Sequence, residues 1–181
     1  MSFAALIHPQ TRRHVADTTE VVIAPTASAY VRLLAVPDVP RKSALVIGDP
    51  AFDRGAFPAL EHLPSAAAEA RDVAARYRSR LLLGTDATGL SVLSSITDYD
   101  VIHIAAHAAV ANGRTDVLAF AFLAAGSRSA VGTLWDVDDH TTRLFSRRLH
   151  ELLSAGTPVA TAVRRVQFEL RSRGFPVRTW G

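Results

Sequence analysis

Two histidines four residues apart, His103 and His107, sit in the stretch Asp100–Ala109, which reads DVIHIAAHAA. Imidazole is the side chain that titrates nearest neutrality, so either could act as a general base or hold a metal ion. Val101, Ile102 and Ile104 are strand formers, and a short continuous apolar run reads as a buried parallel strand. His107 then falls just past the strand's carboxyl end, where an open α/β sheet places its ligands and its chemistry. A second group of reactive types, Asp136, Asp138 and Asp139, follows another short apolar run, Ala130–Leu134. The thiol that a histidine base could activate is missing, because the 181-residue chain contains no cysteine.

Each candidate has a plain structural reading beside the chemical one. A strand-end histidine such as His107 can simply hydrogen-bond to backbone, and one inside a strand, as His103 is, packs in a core. Zinc fits poorly: residues i and i+4 share a helix face, but along a strand they stand ~13 Å apart. No glutamate follows His103 to complete an HExxH motif, and neither a metal nor another cofactor is expected. The aspartates would cap the helix that begins near residue 140, or form an acidic wall for a basic substrate side chain. A serine or threonine nucleophile would need a base within hydrogen-bond reach and an oxyanion hole. Ser129 and Thr133 are on or beside the strand at 130–134, with nothing to place either at its tip. Were that strand to lie beside 100–106, one of the aspartates would meet His107, an arrangement better suited to binding than to base catalysis.

The elements that must position these residues alternate. Short apolar runs predict strands at 20–24, 44–47, 80–83, 100–106 and 130–134. Between them, stripes at helical spacing predict helices at 28–35, 65–77, 89–96, 116–125 and 140–154, and a last one from Pro158 to Gly174. Ser65, Asp138 or Asp139, and Thr157 stand as N-caps, and Gly126, Gly156 and Gly174 close helices. Strands alternating with helices in units of about 30 residues mean a parallel sheet with helices on both faces.

Bulk properties narrow the function. Half the residues are apolar (49%) and a fifth charged (20%), an ordinary globular composition. No apolar run approaches the ~18 residues of a membrane span, and the amino terminus lacks a signal-peptide layout. Without cysteine there is no disulfide framework, and a cytoplasmic location is expected. The net charge of +3 rests on 20 basic residues, all but Lys42 arginine. They are scattered, with pairs at Arg12–Arg13, Arg147–Arg148 and Arg164–Arg165 read as solvated helix faces. Few aromatics accompany them, so neither nucleic acid nor membrane is expected as a partner.

The segments SFAALIHPQTRRH, EVVIAPTASAYVRLL, ALVIGDPAF, LPSAAAEARDVA, LLLGTDAT, DVIHIAAHA, FLAAGSRSAVGTLWDVDDHTTRLF and TPVATAVRRVQFEL, in this order, resemble the CHAT family. These are caspase-like peptidase domains associated with tetratricopeptide repeats. The resemblance implies an α/β fold, a caspase-like three-layer sandwich with a mostly parallel sheet, and cysteine endopeptidase chemistry. It maps the catalytic base onto His107 and the first histidine of H-x-x-x-H onto His103, and it implies a preference for basic substrate side chains. The family places its cysteine on the following strand, in an L-S-A-C-like segment. Here the chain passes from HAAVANGR straight to TDVLAFAFLAAG, so a loop, a helix and that strand, on the order of 50 residues, are missing, well beyond a minimal crossover. Ala108 replaces the glycine after the second histidine, and both chain ends read as clipped.

The expectation is therefore one incomplete CHAT-like domain over 1–181, with 1–40 as its amino-terminal strand and helix segment. It would act as a protein-interaction scaffold or remnant without peptidase activity. Its partner would be a protein or peptide, or a tetratricopeptide-repeat region in a longer relative. The alternative is an active endopeptidase cleaving after basic residues with a nucleophile from another chain or a Ser/Thr. A missing strand should also leave open sheet edges and exposed apolar surface.

Overall fold

Ser43–Pro50 (β1) begins with six consecutive buried residues, and that run lies at the centre of the sheet. Leu45 and Ile47 face one side, while Ala44 and Val46 face the other. A strand apolar on both faces needs cover on both, and the flanking segments supply it. In the computed structural model, which describes residues 2–36, 40–58, 60–107, 116–133 and 137–180, the chain packs as two units. One comprises Pro40–His107 and Asp138–Thr157, and the other Met1–Val39, Ala108–Val137 and Pro158–Gly181.

The first unit holds the sheet, three parallel strands in the order β2-β1-β3, with Arg78–Gly84 (β2) and Val101–Ala105 (β3) beside β1. The register pairs Val46 with Leu81 on one side and with His103 on the other. On one face lies the helix Pro64–Ala74 (α2), rich in alanine, the best helix former. Its stripe Ala66, Ala70, Val73 and Ala74 is buried, and the last three of these pack on Ala44 and Val46, as the periodicity predicts. The other face carries the short helix Gly89–Leu93 (α3), whose Val92 packs with Leu45, Ile47 and Leu82. Asp139–Ser154 (α5) packs on α2, and Arg143 pairs with Asp72 at 2.8 Å. The fold is thus α/β with an open, all-parallel sheet between helices, as the alternation predicts.

Two close fits set this unit's geometry. A β-carbon on Gly48 would lie 2.4 Å from the Ala70 β-carbon and 2.9 Å from the Ala66 carbonyl oxygen, so α2 sits directly against the β1 backbone. At the sheet's opposite end, one Asp100 carboxylate oxygen accepts from the Lys42 amide (3.0 Å), the Ser43 amide (2.9 Å) and the Ser43 hydroxyl (2.8 Å). These bonds favour the ionised form and hold the Asp100 carboxyl below its usual range.

The second unit has its own core. Val159–Ser172 (α6) buries Ala162, Val166 and Leu170 and packs on the 3-10 turn Val15–Asp17 and on Val177–Trp180 (α7). Asp17 pairs with Arg171, and its carbonyl accepts from the Arg164 guanidinium at 3.2 Å. Trp180 is buried, edge-on to His14 with ring centroids 5.1 Å apart, and donates its indole N–H to the Phe175 carbonyl at 3.1 Å. Helices Ala27–Ala35 (α1) and Asp116–Ala124 (α4) complete this unit. Among the described residues, no helix is long and apolar enough to cross a membrane.

Several expectations are corrected. Residues 20–24 form no strand, and Val22 and Ile23 are more than half exposed. Residues 130–133 are likewise irregular, Leu134 lying outside the described residues. Both runs have strand-type residues, but that preference is realised only where a neighbouring strand completes the ladder. Ser65 does not cap α2, because Pro64 takes a first-turn position and Leu63 becomes the N-cap; Pro158, not Thr157, occupies that position before α6. The helix expected over 89–96 ends at Leu93. Arg12–Arg13 lies on a tight turn rather than a helix, with Arg12 at φ 57° and an isolated antiparallel bridge from Ile7 to His14.

Two stability predictions follow from the close fits. Gly48→Ala should destabilise the sheet unit by about 1–3 kcal/mol, the usual cost of overpacking, measurable as a lower urea midpoint. Asp100→Asn should cost about 1 kcal/mol at pH 7. Because the native carboxyl binds its proton less readily than the unfolded one, this stabilisation is complete above the unfolded pKa of about 3.9 and is lost as pH falls below it. The gap between wild type and variant in urea titrations should therefore close on acidification.

Candidate functional site

The carboxyl ends of β1 and β3 open onto a small polar and aromatic cluster. His107, two residues beyond β3, is exposed, and its Nε2 lies 2.6 Å from the Glu61 carbonyl oxygen. A carbonyl can only accept, so Nε2 carries the proton and a neutral His107 presents its lone pair at Nδ1. Phe52 stands edge-on to His107, with centroids 6.0 Å apart, and also contacts His62 at 6.1 Å. His62 Nδ1 lies 3.7 Å from the carboxylate of Asp49, the β1 residue at φ 44°. The strand ends and the loop before α2 thereby bring together Asp49, Phe52, His62 and His107. This is the place expected for chemistry, and a base facing outward from it can take a proton.

His103 lies elsewhere. Strand alternation turns it toward α2 and α5 with Val101, and its Nδ1 is 3.1 Å from Nε2 of His150 on α5. Its Nε2 is 3.1 Å from a carboxylate oxygen of Glu69 on α2, in contact but out of line for a straight hydrogen bond. The two imidazoles meet edge to face at 4.9 Å. Beyond them, the Tyr77 hydroxyl is 3.0 Å from His150 Nδ1. Burial raises the Tyr77 pKa to about 12, against the opposing pull of Arg41 and Arg76. Burial, then the neighbouring His103 and Arg76, lowers that of His150 to about 3. Tyr77 and His150 are thus both neutral at physiological pH.

Of the acid-rich turn, Asp136 lies outside the described residues. Asp138 caps α5, its Oδ1 accepting from the Thr141 amide (2.9 Å) and hydroxyl (2.8 Å). Asp139 Oδ2 accepts the Ser65 amide at 2.8 Å, placing a carboxylate at the positive end of α2. Ser129 and Thr133 are exposed in irregular chain. Among the described residues, no group of three or more His, Cys, Asp or Glu side chains is placed to hold a metal ion.

Comparison with known proteins bears on the site once this geometry is set. The CHAT domain family model matches residues 1–116 and 109–176, which together span nearly the whole chain. The chain belongs to the CHAT domain family. It is a caspase-like, peptidase-related domain. No curated protein and no solved structure gives a significant match. The two stretches of the CHAT match overlap over 109–116, where the sequence runs from HAAVANGR into TDVLAF.

Asp49, Phe52, Glu61, His62, Glu69, Tyr77 and His150 were not among the residues expected at a site. For Asp49 a signal existed, because the Gly48-Asp49-Pro50 turn marks a strand's carboxyl end. Glu69 had a weaker one, since it adds a titratable group to a stripe that is otherwise apolar, and His150 stands between Leu149 and Leu152 in the same way. Replacing Tyr77 by Phe should leave the buried Nδ1 of His150 without a partner and cost about 1–3 kcal/mol, read from thermal or urea unfolding.

Proposed function

We propose that this CHAT-family domain binds a protein or peptide without cleaving it. The observation that carries the reading is the absence of cysteine from the sequence, while the family's base position is kept as His107. A thiol–imidazole pair works because the imidazole takes the thiol proton and the thiolate attacks the carbonyl carbon. Without the thiol, His107 has nothing to activate. Its bond to the Glu61 carbonyl holds the ring as a fixed polar contact at the end of the sheet. The family match comes in two overlapping stretches, 1–116 and 109–176, rather than one, in keeping with the loss of a segment there that would carry the nucleophile.

The partner would be met at the carboxyl ends of β1 and β3, where His107, His62 and Phe52 offer hydrogen-bonding and aromatic surface. In a longer relative, a tetratricopeptide-repeat region would be such a partner. Asp138 and Asp139 both serve helix ends, and contact with a basic side chain would come beside those bonds. A cytoplasmic location belongs to the same proposal.

A pool of fluorogenic peptides ending in arginine or lysine, offered to wild type and to His107→Ala, tests the reading. Neither protein should release fluorophore above the buffer blank. Turnover in the wild type that disappears in His107→Ala would overturn it and establish an active peptidase with a serine or threonine nucleophile, or one lent by another chain.

A further inference from the structure

Tyr77, His150, His103 and Glu69 form a line of polar contacts through the sheet unit that the apolar core does not require. Glu69 and His150 are only 2% and 4% exposed. The line joins separate elements: Glu69 from α2, Tyr77 from the turn into β2, His103 from β3 and His150 from α5. The protons can be assigned link by link. The Tyr77 hydroxyl donates to His150 Nδ1, and His150 Nε2–H donates to His103 Nδ1. His103 Nε2 then carries its proton toward the Glu69 carboxylate. In this arrangement each imidazole accepts at Nδ1 and points its Nε2 proton onward, so the line runs in one direction from Tyr77 toward Glu69.

We propose that this line is an acid-released latch, which ties α5 to β3 and α2 near neutrality and lets α5 detach when His150 takes up a proton. A proton on His150 Nδ1 would face the Tyr77 hydroxyl, which must then turn its own hydrogen to the His150 carbonyl, 3.4 Å away. The new cation would stand against His103 with Arg76 nearby, and Glu69 is reached only through His103. Among the described residues, the charged contacts between α5 and α2 include Arg143 with Asp72, the same guanidinium acting on Glu69, and Asp139 with the Ser65 amide.

The sign follows from linkage. The native His150 pKa lies below the value of about 6.5 for a free imidazole, so the detached form binds the proton first. The stabilisation is complete above pH 6.5 and falls steadily as pH drops toward 3, the pKa of the docked residue. Between pH 7 and pH 5 the opening constant of α5 should rise about 25-fold.

Amide hydrogen exchange on the full chain, corrected for intrinsic rates, reads this directly at Leu149–Leu153 of α5. The amides of Ala162–Leu170 in α6, within the other unit, serve as the internal reference. The proposal expects α5 opening to rise by that factor while α6 stays level, and the rise to vanish in His150→Gln. Equal α5 opening at both pH values, or the same rise in His150→Gln, would overturn it. Should His150→Gln not fold, the imidazole nitrogen shifts of the wild type decide. Titration of His150 that coincides with loss of α5 protection supports the latch, and titration near pH 6.5 with α5 still protected removes it.

Discussion

Ala44, Leu45, Val46 and Ile47 are almost wholly removed from solvent, and covering both of their faces constrains the rest of the sheet unit. A strand buried on both sides must be central, which leaves β2 and β3 as its two neighbours. It must also be approached closely by a helix, and Gly48 permits this because its missing β-carbon is the space that Ala70 and the Ala66 carbonyl occupy. Once α2 is seated there, Glu69 is carried inward beside Ala70. The carboxylate is then buried at the one place where His103 can meet it.

The two histidines of β3 divide their roles for reasons of strand geometry. His103 lies within the strand, on the face that α2 and α5 cover, and it is drawn into a buried polar line. His107 lies past the last ladder residue, outside the alternation, and is free to meet a loop carbonyl and an aromatic ring. Spacing of four in a strand separates side chains that a helix would bring together. A shared task for the pair, as in a metal site, would have required the other periodicity. The acid-rich turn shows a similar division, since Asp138 and Asp139 are adjacent yet hold the ends of two different helices.

The strands at 43–50, 78–84 and 101–105 were legible because each is a compact apolar run bounded by turns or charge. The helices at 64–74, 139–154 and 159–172 were legible from their stripes, with Gly156 and Gly174 at positive φ just beyond the last two. The runs at 20–24 and 130–133 carry the same residue types without becoming strands. A strand takes its hydrogen bonds from another segment, whereas a helix satisfies its own. Cap positions shifted where a proline intervened, as at Pro64 and Pro158. The site at the sheet's carboxyl end was legible in outline through His107, but its neighbours Phe52 and His62 come from a loop with no periodic signal.

By itself the sequence determined the α/β alternation, the family, the absence of a thiol and the position of a histidine at a strand's carboxyl end. These are local or compositional properties, carried by residue type and short-range spacing. Only the tertiary structure decided that His103 would face His150 and Glu69, partners 47 and 34 positions away in the chain. It also decided that His107 would bond to Glu61 and that Asp139 would serve α2. Contacts of this range depend on which helix covers which face and in what register. That choice is made by close packing between elements, which no single stretch of sequence contains.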